Sequence, residues 1–190
     1  MAHIAIISPS LRIGRLSHRA ALYFKSYLED NNLASAEIID LKEYNFPLFT
    51  ERLKFTQEPI ASAIEFSDKI KSADAVIIVT PEYNGGYPAS LKNAIDLLYE
   101  EWYHKPVAVS TVSSGNFGGV QVIMQLQFIL WKMKAFTVPA VFPVPNIGDV
   151  LDEKGMPTDK AAFDRRAASF LKELIWFTEA TDCMKIKKNS

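Results

Sequence analysis

The sequence is short of the features that mark several large classes of protein. It has one cysteine, Cys183, which cannot close an internal disulfide. A disulfide-stapled secreted domain is not expected, and a reducing cytoplasm is the simpler setting. Cys183 lies near the C-terminus with no basic motif beside it, so it reads as a bystander rather than a nucleophile. Charge of one sign is lacking too: 21 Lys and Arg stand against 22 Asp and Glu, a net charge of −1. That balance gives no push toward nucleic acid and none of the acidity of a solvating tail. Long apolar runs are missing and the N-terminus shows no signal-peptide pattern, so no membrane partner is expected. The three histidines, His3, His18 and His104, sit in no triad-like context, and no G-x-S-x-G elbow occurs. A hydrolase and a metal enzyme are both poorly supported. Neither a G-x-G-x-x-G fingerprint nor a Walker loop is present.

What is there is an alternation. Hydrophobic residues make up 48% of the chain, enough for a sizeable core, and no linker or internal repeat breaks it. One domain over 1–190 is expected. Short apolar runs at 3–7, 36–40, 75–80, 106–112 and 137–144 read as strands. Three of them are nearly continuous in Val, Ile and Ala, as expected when helices cover both faces. Between and after them, five segments have helical periodicity: 17–31, 59–72, 88–98, 119–134 and 158–180. The pattern predicts an α/β fold, a flavodoxin-like doubly wound parallel sheet of five strands in the order 2-1-3-4-5.

Two stretches do not fit a minimal version of that fold. Residues 119–134 carry Val122, Leu126, Ile129, Leu130 and Met133 on one face and Val120, Ile123, Met124, Phe128 and Trp131 on the other. A sheet covers only one side of a helix, so a second copy of the chain is the economical cover, as a dimer or tetramer. Residues 41–58 form a long irregular connection, which in a compact domain is usually a functional cover or a partner contact.

In a sheet of this order a ligand binds beyond the carboxyl ends of the strands, where strands one and three flank a crevice. The loops after strands one, three and four are the ones with unusual composition. SPSLRIGRLSHR, residues 8–19, gathers Ser8, Ser10, Ser17, Arg12, Arg15, His18 and Arg19 at a helix start, where free N–H groups and a partial positive charge suit a phosphate. Three clustered arginines also call for a compensating anion. If none binds, Ser17 is only an N-cap and the arginines are solvated. PEYNGG, residues 81–86, puts a flat ring and main-chain amides at the crevice, with Gly85 and Gly86 free to take positive φ and Pro88 fitting the first turn of the next helix. SSGNFGG, residues 113–119, offers small residues whose N–H groups are free to face a planar, electron-rich edge.

Taken together, SPSLRIGRLS, the gapless block PEYNGGYPASLKNAID and SSGNFGG resemble the three signature loops of the NAD(P)H-dependent FMN reductases, a flavodoxin-like family with chromate, quinone and azo-dye reductases among its members. The resemblance runs from about His3 to Gly119. It implies bound FMN, NADPH or NADH as co-substrate, a small-molecule electron acceptor and a homo-oligomer. By the same resemblance Ser10, Arg12, Ser17 and His18 hold the FMN phosphate. Pro81, Glu82, Tyr83 and Asn84 run along the isoalloxazine, and Ser113, Ser114, Gly115 and Gly118 lie across from them. No side chain need be the catalyst, because hydride transfer to a flavin depends on position and electrostatics. Lys92, Asn93 and Asp96 fall on a helix and are expected to be structural or interfacial. Arg15 is open between the 2′-phosphate of NADPH and solvent, and Phe46 and Phe49 between substrate contact and core packing. The rival readings are a non-enzymatic flavodoxin-like FMN carrier and a regulatory protein without turnover.

Overall fold

The computed structural model describes the backbone of residues 1–189 and the side chains of residues 1–184. In chain order the elements are β1 (His3–Ser8), α1 (Ser17–Asp30), β2 (Ser35–Asp40), α2 (Leu41–Tyr44), α3 (Ala61–Ser72), β3 (Ala75–Pro81), α4 (Ala89–Leu97), β4 (Pro106–Val112), α5 (Val122–Lys132), β5 (Phe136–Val144), α6 (Ile147–Val150) and α7 (Lys160–Asn189). The five strands are all parallel, in the order β2-β1-β3-β4-β5.

Alternation along the central strands builds two cores. Ile4 and Ile6 of β1 and Ile77 and Val79 of β3 face α1 and α7, where they meet Phe24, Leu28, Phe163 and Phe170. Ala5, Ile7, Val76 and Ile78 point the other way, to Phe66 of α3, Leu91 and Ile95 of α4 and Leu126 of α5. Both faces of these strands are therefore buried, the physical reason for their unbroken apolar runs. Pro139 and Pro143 are tolerated because β5 is an edge strand paired only with β4.

Several expected bounds move, each for a local reason. Pro88 does not sit in the first turn of α4; it is the extended residue before it, with ψ of 141°. α5 starts at Val122 rather than at 119, because Gly118 and Gly119 take φ of 64° and 72°, outside the helical region. α7 runs to Asn189, well past 180, since neither glycine nor proline interrupts residues 160–189. The connection 41–58 is not wholly irregular: α2 opens it, capped by Asp40, and a 3-10 turn spans Leu53–Phe55. The second face of α5 is uncovered in the single chain, with Met124 75%, Phe128 62% and Trp131 65% exposed.

Candidate functional site

The carboxyl ends of β1, β3 and β4 converge on a cavity of about 300 Å³. The loop after β1 contributes Ser10, Arg12, Arg15 and Ser17; the end of β3 contributes Pro81, Glu82 and Tyr83; the loop after β4 contributes Ser113 and Ser114. Of the twelve residues named from the sequence, His18, Asn84, Gly115 and Gly118 are the ones outside this lining. A larger cavity of about 490 Å³, beside Arg52 and Tyr99, lies away from the strand ends. Volume alone does not choose between them; the convergence of three loops at the switch point does.

Ser17 is the first residue of α1, not its cap. The cap position is Leu16, which offers no side-chain hydrogen bond, and no acidic residue lies in the first turn. Ser17 Oγ is buried and has no hydrogen-bond partner, a state shared among the described residues only with Thr111 Oγ1. An unpaired hydroxyl in a polar pocket at an uncapped helix N-terminus is an incomplete arrangement that a phosphate oxygen completes.

The three arginines of the loop are placed differently. Arg15 forms a two-pronged ion pair with Asp40 at the end of β2, and its Nη1 also donates to the carbonyl of Ser10 at 2.8 Å. It is therefore neither solvated nor free. Arg19 donates to the carbonyl of Leu151 at 2.8 Å. Arg12 lies over the Tyr83 ring, 5.4 Å from its centroid, and lines the cavity. The Tyr83 hydroxyl in turn hydrogen-bonds Ser10 Oγ at 2.6 Å. His18 hydrogen-bonds Ser8 Oγ at 3.0 Å and lies 3.8 Å from Asp40. Burial lowers the His18 pKa from its ordinary 6.5, more than the Asp40 charge raises it, so the ring is neutral at pH 7. Burial by itself would raise the Asp40 carboxyl; the Arg15 hydrogen bonds, the Lys42 N–H and the nearby positive charge outweigh it and hold the group below its ordinary range.

PEYNGG is a tight hairpin. Tyr83 N–H donates to Gly86 O at 2.7 Å and Gly86 N–H to Tyr83 O at 3.0 Å, with positive φ at Asn84 (52°) and Gly85 (79°). Gly85 takes the positive φ expected of it and Gly86 does not: the corner is Asn84-Gly85, the pair most suited to a two-residue turn of this kind. The turn is braced by Gln125 Nε2 donating to Gly85 O at 2.7 Å and Gln121 N–H to a Glu82 carboxylate oxygen at 3.3 Å. Gly118 and Gly119 also differ from expectation in their reason. A Cβ on Gly118 would stand 2.9 Å from Pro143 Cβ, and one on Gly119 2.9 Å from Val112 O. They are glycines because the loop lies against the ends of β4 and β5. Gly115 O accepts from Ser113 Oγ at 2.8 Å and from Asn146 N–H at 3.1 Å.

Residues left open by the sequence are also placed. Asn93 holds the 41–58 connection, accepting from Phe49 N–H at 2.7 Å and donating to Pro47 O at 2.8 Å. Lys92 pairs with Asp96 one turn on. Phe46 packs on Phe66, centroids 5.5 Å apart, so it is a core contact, whereas Phe49 is partly exposed. No group of three or more potential metal ligands occurs among the described residues, and no helix among them is long and apolar enough to cross a membrane.

A phosphate-bearing mononucleotide fits this donor set: an orphaned hydroxyl, a cation with no carboxylate partner among the described residues and a helix N-terminus at one end, and the 81–83 and 113–114 segments at the other. The comparisons agree. Residues 2–149 match the family model described as NADPH-dependent FMN reductase. A protein named NAD(P)H-dependent FMN reductase from Saccharomyces cerevisiae is 34% identical over 160 residues, covering 77% of this chain and 83% of its own. A quinone reductase of Pseudomonas putida is 30% identical over 181 residues, covering 89% and 94%. Among solved structures, the flavoenzyme NAD(P)H:(acceptor) oxidoreductase FerB from Paracoccus denitrificans aligns with a TM-score of 0.74 and 26% identity, over 94% of this chain and 98% of that one. On the family model and these relatives, the chain belongs to the NADPH-dependent FMN reductase family of oxidoreductases.

Proposed function

We propose that the chain, acting as one FMN-binding unit, passes electrons from NADPH or NADH to a small acceptor, with nucleotide and acceptor taking turns in a ping-pong cycle. The observation that carries this reading is Ser17 Oγ, buried without a partner at the uncapped start of α1 beside Arg12. In the proposal the phosphate of FMN accepts from that hydroxyl, from first-turn amides of α1 and from Arg12. The Ser10–Tyr83 hydrogen bond ties the phosphate loop to the hairpin, so both ends of the cofactor are held by one polar network. The Ser113 N–H is taken by Val144 O at 3.1 Å, so in this reading the main-chain donor at Ser114 faces the electron-rich edge of the ring and stabilises charge that develops there. FMN, once bound, supplies the two-electron chemistry; these side chains bind and orient.

Quinone is the first acceptor to test, since relatives of comparable identity are named quinone reductases. The alternation of nucleotide and acceptor follows in this reading if both must stack in turn on the same exposed face of the bound ring. A homo-oligomer formed through Met124, Phe128 and Trp131 of α5 accounts for that exposed face. Light scattering on the wild type and on Phe128→Glu checks it: the wild type runs as a multimer and the variant loses mass.

The test of the activity is the visible spectrum of the FMN-reconstituted protein under anaerobic conditions, before and after NADPH and then NADH. Bleaching of the flavin band within the mixing time supports an NAD(P)H oxidoreductase, and the faster nucleotide defines the preference. A bound flavin that stays oxidised with both nucleotides points instead to a carrier. A spectrum with no bound flavin refutes the assignment of the cavity.

A further inference from the structure

We propose that Arg15 and Asp40 are positioning residues: a clamp that holds the 9–16 loop in shape for the cofactor phosphate, while Arg12 supplies the charge that meets it. The inference rests on the phosphate reading of the cavity and goes beyond it, because the most natural role for a second arginine in that loop is as a second phosphate ligand.

Asp40 is an anchor. It is the last residue of β2 and sits in register with Ser8, the last of β1, so its backbone belongs to the sheet. Its Oδ1 accepts from Lys42 N–H at 3.0 Å, which fixes the carboxylate at the start of α2. Both carboxylate oxygens are taken by the Arg15 fork. The side chains are 15% and 9% exposed, sheltered enough that removing either partner strands the other. From this anchor the Arg15 guanidinium reaches across the loop to the carbonyl of Ser10. The remaining ties act on the same short segment: Ser90 Oγ donates to Pro9 O, and Tyr83 holds Ser10 Oγ. Ser10 is thus held at both its carbonyl and its hydroxyl, with Arg12 two residues on.

The charges divide accordingly. The anion that compensates the arginine cluster is in part internal. Asp40 balances Arg15, and Arg19 is spent on the carbonyl of Leu151. Arg12 lies against a ring face and has no carboxylate partner among the described residues, so it is the loop cation placed to meet an added phosphate. A planar fork is what the pairing needs, and a lysine ammonium cannot reproduce it.

That asymmetry makes the proposal testable on the whole protein. The affinities of the apoprotein for FMN and for riboflavin, which lacks the phosphate, are measured by flavin fluorescence for the wild type, Arg12→Gln, Arg15→Lys, Asp40→Asn and the double variant Arg15→Lys/Asp40→Asn. Asn at 40 keeps the oxygen that caps α2, and the melting temperature of each apoprotein monitors folding. For a clamp, Arg15→Lys and Asp40→Asn each weaken FMN about tenfold or more, leave riboflavin unchanged, and the double variant loses no more than either single one. If Arg15 is instead a phosphate ligand, Arg15→Lys retains FMN affinity and Asp40→Asn tightens it, and the clamp is overturned. Equal weakening of both flavins, or additive losses in the double variant, overturns it as well. If Arg12→Gln leaves the preference for FMN over riboflavin intact, the phosphate reading fails first and the clamp falls with it, a result distinct from the others.

Discussion

The loops after β1 and β4 face one cavity and are held in opposite ways. The first is held by polar side chains that reach across it: the Arg15–Asp40 pair, the Arg15 to Ser10 carbonyl bond and the Ser10–Tyr83 bond. The second has local bonds at Ser113 and Gly115, but its far end is held by shape, with Gly118 and Gly119 pressed against Pro143 and Val112 at distances no Cβ tolerates. The difference matters for what each loop can do. Polar ties can be loosened one at a time while the fold persists, so the first loop is where affinity can be tuned. Steric contact is all or none, and a side chain added at Gly118 or Gly119 forces the end of β5 or of β4 to shift.

The sharpest way to break the comparison is Gly119→Ala. At φ of 72°, with Val112 O at 2.9 Å, it combines a left-handed alanine with overpacking. A loss of about 2–4 kcal/mol is expected. In a chain of this size that lowers the melting temperature by roughly 5–15 °C, read by circular dichroism. Arg12→Gln leaves the melting temperature within a degree or so of wild type, since among the described residues the guanidinium makes a ring contact and no ion pair. It weakens FMN by about 10- to 100-fold, the worth of a charge-assisted contact, and calorimetry measures it.

Ser17→Ala separates folding from binding most cleanly. The hydroxyl is unsatisfied without ligand, so its removal keeps or raises the melting temperature of the apoprotein. FMN affinity falls by about threefold to tenfold for the lost hydrogen bond. An apoprotein melting several degrees lower would mean that Ser17 has a structural partner, and the contrast between the loops would be blurred.

The smallest effect is on pH dependence. His18 has a pKa below 6.5 in the folded state, so on acidification the unfolded chain takes up that proton first. Its contribution to stability is present above about 6.5 and is lost as the pH falls through the folded value. Asp40, also depressed, acts in the same direction lower down, below 3.8. Urea midpoints between pH 7.5 and 5.5 are expected to decline in the wild type and to decline less in His18→Gln. An equal decline in both would assign the effect to other groups.

Much of this was legible in the residues. Unbroken runs such as VIIVT are what a strand covered on both faces requires, and the spacing of helical stripes between them leads to the 2-1-3-4-5 order that is observed. PEYNGGYPASLKNAID and its two companion loops point to the switch point, and eight of the twelve residues named from them meet at one cavity. The Asn-Gly corner is legible too, as the standard signal for a two-residue turn, and it explains why positive φ falls at Asn84 and Gly85 and not at Gly86.

Sequence alone determined the class of fold, the family and most of the polar residues that line the cavity, because periodicity and local motifs are short-range properties that survive without knowing the neighbours. Tertiary structure decided how those residues divide the work. Asp40 is 25 positions from Arg15 and becomes its partner only because β2 and β1 pair in register. The three similar arginines of the loop thereby differ: one lies over a ring at the cavity, one is paired with Asp40 and one is spent on a carbonyl. The glycines at 118 and 119 belong to the same lesson. Their need for an absent side chain comes from Val112 and Pro143, residues brought against them by the packing of β4 and β5, and no pattern within SSGNFGG records that contact.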